Sequence, residues 1–507
     1  MTDDAPASRA VRLLISCTLL SSLTLAISVR AELAADSPEF LVNTTQAANQ
    51  ECPAIDALSG GGFIVVWDGQ QQIGKPFRGV LGQRFDSQGN RIGTEFVVDD
   101  LQQAYQAGQG NGNVASQRNG GFVVAWDNFG GEDGSFYGVF ARRFDAGANK
   151  LGTQFQVNSY TTYVQYDTVI SATGDSAFVI AWVDSGYFAA TGTQIFAQRY
   201  DANGDRLGTD FQVPTTTDGY PAMPAIAALP DGDFVVTWSE RAQSGVRQIV
   251  GQRFTAQGER NGSEFSVGSH STVQQAHPDV ASNVDGAFLV AWDATEQDGN
   301  AEGIYAQRFD SAGQRNGTEF QVNEYTSGRQ RRPAVAISEN GSFLIVWASE
   351  GQDGDSQGVF GRHILGDGTA DGAEFEVNTY TTGWQGGRLG RDLDVAVDAS
   401  GKFFVAWQSE HQDADRDSIM GRLYCVNPPI GLPTCGDVTC AGNDTTSGGP
   451  ITASDALVTL RSAVGLGSCS LCRCDTDSSG IVTASDAQII LKAAVGQVVT
   501  LECPLCE

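Results

Sequence analysis

Basic residues, histidine, methionine and proline are all scarce in this sequence. Its 507 residues include 31 lysines and arginines against 60 aspartates and glutamates, giving a formal net charge of -29 at pH 7. A surface this acidic repels phosphate groups, which excludes nucleic acids and anionic lipids as partners and favours divalent cations. The four histidines show no spacing typical of metal ligands. With 15 prolines and 18% charged residues, the chain is neither collagen-like nor a disordered tail.

Long apolar runs are absent beyond the first 31 residues. The run from Leu13 to Ile27 follows two arginines and precedes a small-residue cleavage pattern that ends at Ala31. Serine and threonine interrupt it, and its ~15 residues fall short of the ~20 apolar residues that a bilayer span needs. We therefore predict a secretory signal at 1–31 and a secreted or cell-surface protein. The residues before Cys17 also resemble a lipobox, so a lipid-bearing Cys17 is the alternative.

An apolar segment that runs from phenylalanine to tryptophan is repeated seven times. The tryptophan recurs every 54 to 60 residues, and a phenylalanine stands four residues before it in every copy. Each segment is apolar at nearly every position, which is typical of a strand that is covered on both faces. The seven tryptophans are Trp67, Trp126, Trp182, Trp238, Trp292, Trp347 and Trp407.

Three further segments accompany each copy and complete a four-stranded unit. Examples are Gly82–Phe85 after the tryptophan, then Glu319–Asn323 after a glycine-containing turn, and Pro333–Ile337 before the phenylalanine. Four strands per repeat predict a mainly β fold, a seven-bladed β-propeller at 37–425, and this region resembles bacterial secreted propeller repeat proteins. We expect an N-terminal strand, Glu39 to Asn43, to complete the last blade. Separate β-sandwich modules are the alternative, although each repeat is short for one.

A different domain follows the repeats. The Pro-rich segment 426–433 is predicted to be a linker, and 434–507 a small α-helical domain. One loop of this domain has oxygen-bearing side chains at positions 1, 3, 5, 9 and 12, with glycine at position 6. This is the spacing of an EF-hand calcium loop, in which position 7 supplies a backbone carbonyl. The predicted calcium ligands are Asp475, Asp477, Ser479, Ile481, Thr483 and Asp486.

A related loop stands 31 residues earlier, where the sequence Thr-Ala-Ser-Asp-Ala occurs for the first time. Two such loop-helix units resemble type I dockerins, the calcium-folded modules that attach exported proteins to cohesin domains of a scaffold. The first loop retains carboxylates only at Asp444 and Asp455, so we expect its calcium site to be weak or displaced. The resemblance implies a cohesin-type partner that contacts Ala453, Ser454, Arg461, Ala484, Ser485 and Lys492.

Eight of the ten cysteines lie in or beside this tail. Disulfides are the default in an exported protein, and four bridges among eight cysteines leave 105 pairings open. Two Cys-x-x-Cys pairs also have zinc-ribbon spacing, so a zinc site is an alternative. Plain turns held by disulfides are the alternative to the calcium loops. Cys52, far from the tail, is expected to be a buried thiol on an inner strand.

One position just before each innermost strand differs from copy to copy. Innermost strands of a propeller surround an axial channel, so these residues are expected to line one mouth of it. Divergence at one position inside a regular repeat is what a ligand site shows, although an unconstrained loop shows it too. The candidate ligand residues are Asp167, His277, Arg332 and Asp392, and the other copies have Cys52, Asn111 and Met223.

Three functions are compatible with these features. The leading hypothesis is an exported, non-catalytic binding protein whose propeller recognises a glycan or a protein and whose tail docks to a cohesin-type partner. The second is a polysaccharide-degrading glycoside hydrolase carried on a dockerin. It would need the carboxyls of Asp167 and Asp392 ~5 to 9 Å apart, and three blades lie between them. The third is a structural surface or adhesion protein. No catalytic residue is assigned.

Overall fold

The computed structural model describes residues 32–427 apart from 46–47, 70–77, 101–108, 189–191, 216–218, 242–244, 388–390 and 413–415. The predicted signal, nearly all of the linker and the dockerin-like domain lie outside the described residues, together with every predicted calcium ligand and partner contact. Within the described part, the chain is strand except for turns, loops and two 3₁₀ helices, Gly174–Ser176 and Pro230–Gly232. No helix there is long and apolar enough to span a membrane.

Seven antiparallel sheets follow one another along the chain, which confirms the mainly β fold and the seven blades. Blade 1 contains β3 (Gln50–Ala57), β4 (Phe63–Gly69), β5 (Gly79–Phe85) and β6 (Arg91–Val97). Blade 2 contains β7 (Gln109–Ser116), β8 (Phe122–Asn128), β9 (Gly138–Phe144) and β10 (Lys150–Gln156). Blade 3 contains β11 (Gln165–Ala172), β12 (Phe178–Phe188), β13 (Gly192–Tyr200) and β14 (Phe211–Gln212). Blade 4 contains β15 (Ala222–Ala228), β16 (Phe234–Arg241), β17 (Arg247–Phe254) and β18 (Phe265–Ser266).

The remaining blades repeat this order. Blade 5 contains β19 (Gln275–Ser282), β20 (Phe288–Thr295), β21 (Glu302–Phe309) and β22 (Phe320–Gln321). Blade 6 contains β23 (Gln330–Ile337), β24 (Phe343–Glu350), β25 (Gln357–Ile364) and β26 (Phe375–Glu376). Blade 7 contains β27 (Leu393–Val397), β28 (Phe403–Glu410) and β29 (Asp417–Asn427), and the N-terminal strands β1 (Glu32–Ala35) and β2 (Phe40–Leu41) both pair with β29.

The second strand of each blade is buried on both faces because it lies between two neighbouring blades. In blade 1, Val65 and Trp67 pack with Phe404 of blade 7. The alternate residues of the same strand, Ile64 and Val66, pack on the opposite side with residues of blade 2. Seven apolar clusters of this kind form the interfaces between adjacent blades. The hydrophobic core is therefore divided among the interfaces between adjacent blades.

The N-terminal segment 32–43 joins the two ends of the propeller. Phe40 lies opposite Gly421 of β29, and the N–H of Val42 donates to the carbonyl of Ile419 at 2.7 Å. Glu39 accepts the backbone N–H of Thr379, in the loop that leaves blade 6. The equivalent glutamate of blade 5, Glu319, accepts the N–H of Ser269 at 2.6 Å. The closing segment thus makes the same contact with its neighbour that other blades make.

In six of the seven blades an arginine donates to the carbonyl of a buried valine in the preceding blade, and it comes from one of two positions. In blade 5, Arg315 donates instead to the carbonyls of Ser266 and Gly268, on either side of the equivalent valine. In blade 3 a turn residue, Arg206, donates to Val157 O at 2.6 Å. In blade 6 a residue of the third strand, Arg362, donates to Val322 O at 2.8 Å. The strand position holds glutamine, Gln198, in blade 3. The same contact is therefore kept although the residue that provides it changes.

Candidate functional site

Every described innermost strand from blade 1 to blade 6 has an irregularity near its start. In blade 1 the pairing with β4 passes from Glu51 directly to Ala54, so two residues between them are unpaired. The first of these has a positive φ in each blade, between 48° and 57°. A left-handed conformation costs a non-glycine residue on the order of 1 kcal/mol or more, and such strain collects at functional sites. The six residues are Cys52, Asn111, Asp167, Met223, His277 and Arg332.

Local sequence explains how the bulge is tolerated. In four of these blades the next residue is proline, as in Cys52-Pro53, which has no N–H to leave unpaired. Where it is not proline, a carboxylate accepts the free donors. Asp127, directly after the tryptophan of blade 2, accepts the N–H of Asp167 at 2.9 Å and that of Thr168 at 3.3 Å. The bulge is thus built into the inner strand and is not a disordered loop.

These bulges surround one axial cavity of about 370 Å³. The cavity is lined by all four residues that the sequence analysis predicted as ligand contacts, so the structure places them together. The three other residues from the same position in the repeat, Cys52, Asn111 and Met223, line it as well. A volume of this size lies within the range of small-molecule sites.

His277 is held in a fixed orientation at the cavity. Its Nδ1 lies 2.7 Å from Oδ2 of Asp293, the residue after the tryptophan of blade 5. Asp293 also accepts the backbone N–H of Arg332 at 2.9 Å. A carboxylate at Nδ1 makes this nitrogen the donor and leaves Nε2 for a ligand. The His277 side chain is 32% exposed, which leaves it accessible from the cavity.

Asp392 and Asp167 occupy different electrostatic surroundings. Nη1 of Arg332 lies 3.2 Å from Oδ2 of Asp392, and both side chains are largely buried. Burial raises the pKa of Asp167, and the charge of Arg391 opposes that shift. One carboxylate is therefore paired with an arginine, whereas the other is held closer to its protonated form.

Cys52 takes no part in nucleophilic chemistry on these contacts. Its thiol lies 3.7 Å from Oδ1 of Asp392 and 3.9 Å from Nη2 of Arg78. Burial and the charges of Asp68 and Asp392 raise its pKa, so the thiol is protonated at neutral pH. Cys52 lies on the inner strand β3, at its bulge, as a free thiol.

Further residues that line the cavity lie next to this position in the repeat, and the sequence did not single them out. Asp279 and Asp394 stand two residues after His277 and Asp392 along their strands. Tyr166 and Arg391 stand directly before Asp167 and Asp392, nearer the mouth. Asp394 accepts the N–H of Ile55 in blade 1 at 2.9 Å. Burial, together with the charge of Asp279, raises the pKa of Asp394 to about 7. For Asp279 and Asp394 the period of two along a strand was the available signal, because it places alternate residues on the channel side.

The described residues contain no group of three or more histidine, cysteine or acidic side chains placed to hold a metal ion. The predicted calcium loops lie outside that part of the chain, so calcium binding stays a prediction. No protein-family model and no curated protein matches this sequence.

Several solved structures are similar to this chain in fold. A protein of unknown function from Dyadobacter fermentans is 9% identical, with 78% of this chain and 99% of that chain covered and a TM-score of 0.47. A polysaccharide lyase, an ulvan lyase of family PL25, is 10% identical over 73% and 94% of the two chains, with a TM-score of 0.46. The α-L-arabinanase of Penicillium chrysogenum is 14% identical over 63% and 94%, with a TM-score of 0.41. These similarities are too low to carry an argument about function.

Proposed function

We propose that the propeller is a glycoside hydrolase domain that binds a sugar unit in the axial cavity and hydrolyses a glycosidic bond there. The observation that carries this proposal is the pair of carboxyls on one cavity, Asp167 and Asp392, in different surroundings. Hydrolysis of a glycoside needs a protonated acid and an ionised carboxylate on either side of the bond, so the proposal requires these two carboxyls to stand ~5 to 9 Å apart across the cavity. Asp167, whose pKa burial raises, supplies the acid, and Asp392, paired with Arg332, supplies the carboxylate.

The lining of the cavity suits a polyhydroxylated ligand. Arg332 offers only donors and Asp392 accepts, whereas His277, Asn111 and protonated Asp167 can do either. Sugar hydroxyls both donate and accept, so they match a wall on which donors and acceptors alternate. The two carboxyls and a water molecule balance the reaction. Asp392 takes a proton from the water, whose oxygen bonds to the anomeric carbon, while the glycosidic C–O bond breaks and the leaving oxygen takes the proton of Asp167.

Replacing either carboxyl tests this mechanism. We expect Asp167→Asn and Asp392→Asn each to lower kcat by ~10² to 10⁴ while the full chain still binds the sugar. The measurement is reducing-sugar release from a panel of plant and microbial polysaccharides. Asp56→Asn is the matched control, because Asp56 is a half-buried inner-strand carboxylate that accepts the N–H of Ser116 and does not line the cavity.

Non-catalytic glycan binding is the second candidate function. It is favoured because carboxylates at the cavity are already paired with other groups of the protein. Asp392 is engaged by Arg332, and Asp293 by both His277 and the backbone of Arg332. The test is titration calorimetry of the full chain with oligosaccharides. Saturable binding of an oligosaccharide, together with no sugar release from any polysaccharide, would support binding and exclude hydrolysis.

The tail, 434–507, is proposed to dock this domain to a cohesin-type scaffold in a calcium-dependent way, outside the cell. Support comes from the two matched loops of the sequence, of which the second has the fuller ligand set. We expect the full chain to recover a cohesin-bearing protein from the exported fraction in calcium and to release it in chelator. Asp475→Ala with Asp477→Ala should abolish recovery, whereas equal recovery in chelator would contradict calcium-dependent docking.

A further inference from the structure

Large apolar side chains that are exposed divide by type between the two ends of the propeller. Among the described residues, aromatic ones lie at the end where the cavity opens, and aliphatic ones at the opposite end. The aromatic residues are Phe136 (66% exposed), Tyr137 (37%), Tyr163 (49%) and Tyr220 (48%), and the aliphatic residues are Ile92, Leu151, Leu207 and Val284.

Strand order fixes these positions. Tyr163 and Tyr220 each stand two residues before an inner strand begins, and the bulge residues Asp167 and Met223 lie near the start of those strands. Tyr137 directly precedes Gly138, which pairs with Asn128 beside the cavity-side carboxylate Asp127. Ile92 pairs with Arg84 at the far end of β5. We call Phe136, Tyr137, Tyr163 and Tyr220 the aromatic platform; its members come from blades 2 to 4.

Two glycines of one hairpin make room for the tyrosines of this platform. A Cβ on Gly186 would lie 2.4 Å from the ring of Tyr163, and a Cβ on Gly192 would lie 2.6 Å from the ring of Tyr220. Tyr163 itself has a φ of 69°, and its N–H donates to Oγ of Ser135 at 3.2 Å. The rings are therefore held by close packing on backbone and are not loosely tethered.

The platform continues from the cavity. Tyr166 lines the cavity and lies three residues after Tyr163. The charge of Arg247 acts on Tyr166, and Nη1 of Arg247 donates to the carbonyl of Tyr220 at 3.4 Å. Tyr166 is therefore linked to Tyr163 along the chain and to Tyr220 through Arg247.

We infer that the aromatic platform binds the neighbouring sugar units of a neutral polysaccharide chain whose terminal or cleaved unit occupies the axial cavity. This inference rests on the proposed function of the cavity and names its substrate class. A sugar ring presents C–H groups on one face, which pack on the face of an aromatic ring, and hydroxyls at its edge, which stay hydrated. Separate rings over three blades suit successive units of a chain.

The net charge of the chain disfavours acidic polysaccharides, although Arg247, Arg332 and Arg391 stand at or beside the cavity. Glu296, Glu350 and Asp355 are exposed in the cavity-side hairpins of blades 5 and 6. The whole chain carries a net charge of -29. Uronate and sulfate groups are repelled by such a surface, whereas neutral sugars are not.

Affinity electrophoresis of the full chain tests the platform. Native gels contain arabinan, arabinoxylan, galactomannan or xyloglucan as neutral polymers, or polygalacturonate as an acidic one. We expect at least one neutral polymer to retard the wild type and polygalacturonate not to. The variant Phe136→Ala/Tyr163→Ala/Tyr220→Ala should bind that polymer about 10-fold or more weakly, yet bind its disaccharide as the wild type does.

Two further variants sharpen the result. Ile92→Ser/Leu151→Ser/Leu207→Ser changes exposed apolar residues at the opposite end and should leave retardation unchanged. Gly186→Ala keeps every ring but displaces that of Tyr163, so it should weaken polymer binding by itself.

Each other outcome has one meaning. Equal retardation of the triple aromatic variant and the wild type would overturn the platform and leave the cavity proposal standing. Absence of binding to every polymer and disaccharide would overturn the proposed function itself. If polygalacturonate retards the chain more strongly than every neutral polymer does, the substrate class is acidic and the inference of a neutral polysaccharide is wrong. A concentration-dependent dimer that the triple variant abolishes would assign the rings to contact with a second copy.

Discussion

Deletion of residues 32–43 is expected to open the propeller and to remove most of its stability. This segment supplies the outer strands of blade 7, and fully buried Val42 alone contributes ~1.5 to 3 kcal/mol. Oδ1 of Asn43 accepts the N–H of Ile419 at 2.8 Å, and Nζ of buried Lys402 lies 2.7 Å from Oδ2 of Asp36. The combined loss is on the order of 5 kcal/mol or more, comparable to the whole stability of many domains.

Urea unfolding followed by tryptophan fluorescence measures this effect. We expect the midpoint to fall by at least 2 M or the cooperative transition to disappear, because the deletion exposes the edge of β29. A deletion of residues 32–35 is the matched control, since it removes β1 and keeps Asp36 to Asn43. It should lower the midpoint only slightly. A full-length-like midpoint for the longer deletion would show that seven blades hold together without the closing segment.

Asp394→Asn is expected to change how stability depends on pH. Burial first, and then the charge of Asp279, raise the pKa of Asp394 to about 7 in the folded protein, whereas an unfolded aspartate titrates near 3.9. Between these values the folded state binds more protons than the unfolded state. The contribution of Asp394 to the free energy of unfolding is therefore complete below pH ~4 and is lost as the pH rises through about 7.

Asparagine does not titrate, so the variant does not lose stability in this way, and its stability relative to the wild type must rise with pH. We expect the difference in free energy of unfolding, variant minus wild type, to increase by up to about 3 kcal/mol between pH 5 and pH 8.5. Urea titrations at both pH values measure it. Asp285→Asn, in an exposed turn, is the control and should show no such trend. A pH-independent difference for Asp394→Asn would mean that its carboxyl is ionised throughout.

Much of the ligand site was predictable because the seven copies of the repeat can be aligned with one another. Asp167, His277, Arg332 and Asp392 hold one position relative to the Phe-to-Trp segment, and seven inner strands around one axis must bring equivalent positions together. Asp279 and Asp394, two residues further along their strands, were missed because four of the seven copies have alanine or valine at that position, so it does not stand out as polar. The aspartates that follow Trp126 and Trp292 were missed for a different reason: their partners are backbone donors in the next blade.

The sequence by itself determined the strand segments, the number of blades and the position that faces the axis. These follow from two patterns in the sequence: the repeat period near 55 residues and the alternation of side chains along each strand. Stacking the repeats as blades satisfies both patterns and buries the tryptophans. Only the tertiary structure decided what those positions do. The positive φ of the bulge residues, the pairing of Asp392 with Arg332 and the packing of Tyr163 on Gly186 all join residues distant in sequence or depend on backbone geometry that many sequences share.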